Sequence, residues 1–293
     1  MKLHAVDAPD VHDGVQLRRV IARRLRSRSL IVERRVAWRL RPSQFPPARE
    51  ANPIETRVLV YESRTPVARS DAWADPVFEQ GKRVNVALAS PALDGVLLAP
   101  GAVFSFWRTV GRPDPALGYR YGMELRGGCV VPAVGGGLCL LSNALFRAAA
   151  TLGWEIVERH GHTIEAVPTN EDPWGVDATI AWPYVDLRVS VARSEPAARL
   201  AVRLLDGELV LQVWSAVKSH RTVVLRSVDD RVDTINGERV RRNCIERRVV
   251  DADGSTRTET IAENAKRLLA PSDLGRSCLT CGIDTCAGRV TIR

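Results

Sequence analysis

Three consecutive glycines, Gly135, Gly136 and Gly137, stand directly before an apolar helical pattern. No other junction in the chain narrows the possible folds as far. Glycine reaches backbone conformations closed to other residues, which suits a tight turn or a close approach of chain to chain or chain to ligand. Leu138, Leu141, Leu145, Ala148, Ala149 and Leu152 then recur at helical spacing, and Gly153 is positioned to end the helix. Cys139 falls in the first turn. Free N–H groups and the positive end of the helix dipole favour an anion there, so a thiol at that position ionises more readily than a free one. That setting suits a cysteine nucleophile. It also suits a plain buried cysteine after a turn, because cysteine is often buried without a chemical role.

Composition bounds the class. The 293 residues, 45% hydrophobic and 26% charged, suit one large or two modest domains with an ample core. No apolar run approaches a membrane span, and the acidic start is unlike a signal peptide, so the expected location is cytoplasmic. The net charge of +8 owes much to ten arginines between Leu17 and Arg41, opposed only by Glu33. Such a segment can meet nucleic acid, anionic lipid or an acidic partner. Without interleaved aromatics or a nucleic-acid module it reads as a solvated basic helix, and a nucleic-acid partner is not expected.

The expected class is α+β: a central helix packed on an antiparallel sheet, a basic helical N-terminal segment and a β-rich C-terminal extension. The expected divisions are 1–56, 57–195 and 196–293. A strand is expected over 57–61. Val84, Val86 and Leu88 fit either a strand or a helix. Phe104, Phe106 and Trp107 read as core or pocket wall. A single strand through Ile156, Glu158, His160, His162 and Ile164 would point both histidines one way. Residues 176–182 form another strand candidate, and 185–190 alternate as a strand with one buried face would. Asp206-Gly207, Asn236-Gly237 and Asp253-Gly254 sit between apolar runs and announce hairpins.

The middle of the chain resembles the VanW family. The resemblance rests on Ala99 to Trp107, Val110 to Pro113, Gly118-Tyr119, Gly135 to Cys139, Val157 to Thr163, Val176 to Ile180 and Tyr184 to Leu187. The family links the chain to glycopeptide resistance without fixing a reaction. Leu140 follows the cysteine where the family pattern has Gln, and Asn143 stands where many members have Ser or Thr.

Cys139, then His162, then Asp177 follows the order of transglutaminase-like and papain-like cysteine enzymes. In that chemistry a thiolate attacks a carbonyl, an imidazole carries the proton, and an acid fixes and charges the ring. His160 and Asp186 are the runners-up. The expected function is cysteine-dependent acyl transfer or amide hydrolysis on a peptide or cell-wall-like substrate. The alternative is a non-catalytic accessory protein whose loop Gly135, Gly136, Gly137 binds an anion or other ligand. Separately, Cys278, Cys281 and Cys286 are spaced C-x2-C-x4-C, and with Cys244 they offer four thiolates to a structural zinc ion or, alternatively, an iron–sulfur cluster.

Overall fold

The structure, a computed structural model, describes residues 29–40, 58–68, 75–126, 129–165 and 173–269. Two compact units divide the chain, 1–42 and 43–293. In the first, residues 29–40 form helix α1. Everything below belongs to the second.

Its first sheet has the order β1 (Val58–Pro66), β10 (Glu208–Ser215), β9 (Ala198–Leu205), β2 (Leu97–Leu98). The three adjacent pairings are antiparallel. The β9–β10 hairpin turns at Asp206-Gly207, where both residues have positive φ, as a two-residue hairpin turn demands. Because β10 pairs with β1 and β9 with β2, this sheet joins strands from both sides of residue 195. Leu200, Leu209, Leu211 and Val213 are sealed in its core. Each such side chain contributes about 1.5–3 kcal/mol by leaving water.

The valines at 84 and 86 belong to helix α2 (Pro76–Leu93) rather than to a strand. Asp75 caps it through Val77 N–H at 2.9 Å, Pro76 opens it, and Phe78, Val86, Ala89 and Leu93 line its buried side. Next come β3 (Val103–Ser105), the short helix α3 (Phe106–Val110), and the hairpin β4 (Tyr121–Arg126) and β5 (Cys129–Val134). Phe104, Phe106 and Trp107 are core, as their sequence suggests.

Helix α4 (Cys139–Thr151) follows the glycine loop. Leu141, Leu145, Phe146, Ala148 and Ala149 are buried along it. Gly153, at φ 74°, closes it in the left-handed conformation, and Trp154 N–H reaches back to Ala149 C=O. Beyond it, β6 (Glu155–Glu158) pairs with β8 (Arg188–Ser190), which also pairs with β3.

Two strand expectations need correction. The chain from Ile156 to Ile164 is not one strand: β6 stops at Glu158 and β7 (Ile164–Glu165) begins a separate pairing. Residues 176–180 form no strand, only chain without regular structure leading to a bridge between Ala181 and Val185. In both places side-chain bonds described below replace the ladder. The last sheet contains β11 (Thr222–Ile235), β12 (Glu238–Val250) and β13 (Thr256–Leu268), with β7 added in parallel to β13. The Asn236-Gly237 and Asp253-Gly254 turns fall where the sequence announces them. The protein is thus α+β, with helices set against several antiparallel sheets. No helix among the described residues is long and apolar enough to cross a membrane.

Candidate active site

The glycine loop is held by packing. Gly122 and Gly136 touch backbone to backbone, and a Cβ on Gly136 would lie 2.4 Å from Gly122 C. A Cβ on Gly135 would strike the Pro113 ring, and one on Gly137 the Lys82 stem. Gly135 and Gly137 also have φ of 78° and 92°. The buried Asn85 of α2 secures the turn, donating to Arg120 C=O and Gly136 C=O and accepting from Arg120 N–H. These contacts account for the three glycines without a ligand.

The loop delivers Cys139 to the start of α4, where the side chain is part-buried and its thiol is free. The first turn of α4 is stitched to residues 177–180. Ser142 Oγ donates to Ala178 C=O at 2.7 Å, and Ala178 N–H donates to Asn143 Oδ1 at 2.8 Å. Cys139 Sγ lies 3.8 Å from Thr179 Oγ1. Asn143 therefore spends its side chain on the segment that carries Asp177, which explains an amide at that position.

Asp177 is 7% exposed and gathers three cationic partners. His162 Nδ1 donates to Oδ2 at 2.5 Å, and Lys266 Nζ donates to the same oxygen at 2.9 Å. Arg159 Nη2 donates to Oδ1 at 2.9 Å, and its Nε donates to Asp177 C=O at 2.7 Å. Arg159 also lies over the Phe146 ring of α4, 5.2 Å from its centroid. His162 also acts on the Cys139 thiol, favouring its ionised form.

The electrostatics follow from this geometry. Burial opposes charge on Asp177, but its bond to His162 and the charges of His162, Lys266 and Arg159 hold its carboxyl well below the usual carboxylate range. Burial also disfavours a charged His162, yet the bonds to Asp177 and Cys139 push the ring up to about 10. Burial would raise the Cys139 thiol. His162, with the Ile180 backbone and the Thr179 hydroxyl, outweighs it and lowers the pKa. Both shifts favour an ionised thiol beside a protonated ring.

His160 and Asp186 are placed elsewhere. His160 Nε2 pairs with Glu158 at 3.2 Å, and its backbone C=O accepts from Thr179 N–H. Asp186 is fully buried, not solvent-facing: it accepts from Ser105 Oγ at 2.5 Å and from Trp107 N–H at 3.1 Å, fixing the start of α3. Cys244 lies within β12, part-buried and opposite Val228 and Glu263. Cys278, Cys281 and Cys286 lie outside the described residues. No cluster of His, Cys, Asp and Glu suited to a metal occurs among the described residues.

Sequence reasoning missed Arg159, Lys266, Asn243 and Asn264. Asn264 accepts from Arg159 Nη2 at 2.7 Å and donates to Asn243 Oδ1 at 2.8 Å, and Asn243 donates to Trp174 C=O at 2.7 Å. Arg159 had a faint signal, a charge three residues before His162 in a stretch already singled out. Nothing near Lys266 in sequence points to residue 177.

The match to a known family falls on the same part of the chain. Residues 81–214 match the family described as VanW like protein. The chain is 31% identical to the vancomycin B-type resistance protein VanW of Enterococcus faecalis over 159 residues, 54% of this chain and 58% of that one. It is 33% identical to the uncharacterized protein YoaR of Bacillus subtilis over 132 residues, 45% of this chain and 42% of that one. The match thus spans about half the length of these relatives. No solved structure matches the chain. The VanW-like segment, residues 81–214, holds the glycine loop, Cys139, His162 and Asp177.

Proposed function

We propose that the protein is a cysteine-dependent acyl-transfer enzyme or amide hydrolase, with Cys139 as nucleophile, His162 as proton carrier and Asp177 as the acid that fixes the ring. The observation carrying this reading is the bond between His162 Nδ1 and Asp177 Oδ2, 2.5 Å, on a ring that also lowers the pKa of the Cys139 thiol. The Cys139 thiolate attacks a carbonyl carbon, and the carbonyl oxygen takes the negative charge. The Cys139 N–H at the start of α4 serves as a donor to that oxygen. The C–N or C–O bond breaks as the imidazolium protonates the leaving group, which leaves a thioester on Cys139. Water or an amine, deprotonated by the now neutral ring, then releases the acyl group and restores the thiolate beside the protonated ring.

The cysteine at a helix start, followed by His and then Asp, matches the layout of transglutaminase-like enzymes, an analogy of arrangement rather than of substrate. A peptide or cell-wall-like substrate agrees with the resistance named in the Enterococcus relative. The test is Cys139→Ala in a strain whose glycopeptide resistance depends on this protein. Loss of resistance with the fold intact is expected, and full resistance would end the catalytic reading. The zinc or iron–sulfur site of Cys244, Cys278, Cys281 and Cys286 is a separate proposal, checked by metal content after purification without chelator.

A further inference from the structure

His162 does not have Asp177 Oδ2 to itself. Lys266 Nζ donates to that same oxygen at 2.9 Å, while Arg159 takes the other oxygen. The Lys266 side chain is 9% exposed. Its ammonium lies 4.7 Å from the centroid of the Trp174 ring. A buried ammonium is costly unless paired, and both contacts offset that cost. Lys266 stands on β13, well past the 81–214 segment that carries the family match.

A carboxylate facing only an imidazole would raise the proton affinity of the ring as far as one charge can. Two further cations divide that pull. This matters for a ring with two successive tasks. It must hold a proton while the thioester forms, then give it up and accept another from the incoming water or amine. A ring held too basic completes the first step and stalls at the second.

We propose that Lys266 is a positioning residue that sets the proton affinity of His162: by sharing Asp177 Oδ2 with the ring, it fixes the carboxylate and weakens its hold on the imidazolium. The purpose rests on the acyl-transfer reading. The effect itself is a property of the resting protein. The charged groups facing the ring are Cys139 from α4, Asp177, and, through Asp177, Arg159 after β6 and Lys266 on β13. Glu158 is engaged by His160 and Arg188, and Glu165 by Trp174.

The experiment is an NMR titration of the His162 ring in a Cys139→Ala background, where loss of the thiolate brings the ring into an accessible pH range. Lys266→Gln keeps a hydrogen-bond donor but removes the charge. It is expected to raise the proton affinity of His162 about tenfold, while Lys266→Arg leaves it within about twofold. An unchanged or lower affinity in Lys266→Gln overturns the proposal, because a mere prop would loosen the ring's grip on Asp177. Lys266→Met provides the same reading should Lys266→Gln not fold. If neither variant shows a folded near-ultraviolet circular dichroism spectrum, the lysine is a structural strut and the proposal fails. Failure of the acyl-transfer reading is a different result, seen in the resistance assay of Cys139→Ala with this titration unaffected.

Discussion

The segment 81–214 and the sheet β11–β12–β13 meet at Asp177, and they are built by opposite means. The first packs a glycine loop, α4 and extended chain at backbone contact distance, with Asn85, Ser142 and Asn143 tying loop to helix and helix to chain. The second is three long strands whose residues are largely exposed along β11 and the far half of β13. From that open sheet only a few polar side chains enter the core: Asn243, Arg247, Asn264 and Lys266. Three of them surround the Asp177 cluster. Arg247 instead donates to the carbonyls of Ala149, Ala150 and Trp154 at the far end of α4. A cation there complements the negative end of the helix dipole. The compact segment thus supplies Cys139, His162, Asp177 and Arg159, and the open sheet adds Lys266 to the charges around Asp177.

Breaking the junction itself should have the largest effect. Asp177→Asn leaves Arg159 and Lys266 buried without a counter-charge, a loss of about 3–5 kcal/mol. Urea denaturation would show it, and selective iodoacetamide labelling of Cys139 at neutral pH should vanish. Next is Arg247→Met, which strands the carbonyls closing α4. Its ion pair with Glu259 is partly open to water and adds little, since Glu259 is 43% exposed. The lost bonds to carbonyls predict about 2–3 kcal/mol, seen as one cooperative transition at lower urea. Two separate transitions would instead mean that the sheet folds as an independent appendage.

The pH dependence sharpens the comparison. The folded pKa of His162 lies above its unfolded value, so its stabilisation is fully present below about 6.5 and is lost as pH rises through about 10. Asp177 works in the other direction: its stabilisation is present above its unfolded pKa and is lost as pH falls through the depressed folded one. Denaturant midpoints across the alkaline range should therefore fall more steeply in the native protein than in His162→Ala. A parallel fall would detach the ring from the cluster. The smallest expected effect is Ser142→Ala, about 1 kcal/mol for one hydrogen bond, with a several-fold slower Cys139 labelling as the 177–180 chain loosens.

Much of the compact segment is legible in the chain itself. The glycines, the apolar spacing of α4 and the hairpin dipeptides are local signals, and local signals survive reading without coordinates. Cys139, His162 and Asp177 can be named from order and resemblance. The strands expected at 156–164 and 176–182 could not be corrected from sequence. Between β6 and β7, Arg159 and His162, of opposite parity, both turn toward Asp177 before Ile164 joins β13, so the alternation of the sequence is not that of a strand. Asp186 misleads for a related reason: it alternates like a surface residue yet serves as the buried acceptor for Ser105 and Trp107. Lys266 is invisible because its partner lies 89 residues away and its neighbours on β13 are an ordinary mix of charged and apolar residues.

The two ends of α4 give the sheet the character of a measuring rod. From Arg241, opposite Lys266, to Arg247 is six steps along β12, about 20 Å at strand rise. The 13 residues of α4 span about the same length at helical rise. A strand lengthens by about 3.3 Å per residue and a helix by about 1.5 Å, so one added residue in either cannot be matched by one in the other. Insertions between the two anchor points therefore carry a geometric penalty that the β11–β12 turn at Asn236-Gly237, outside the gauge, escapes.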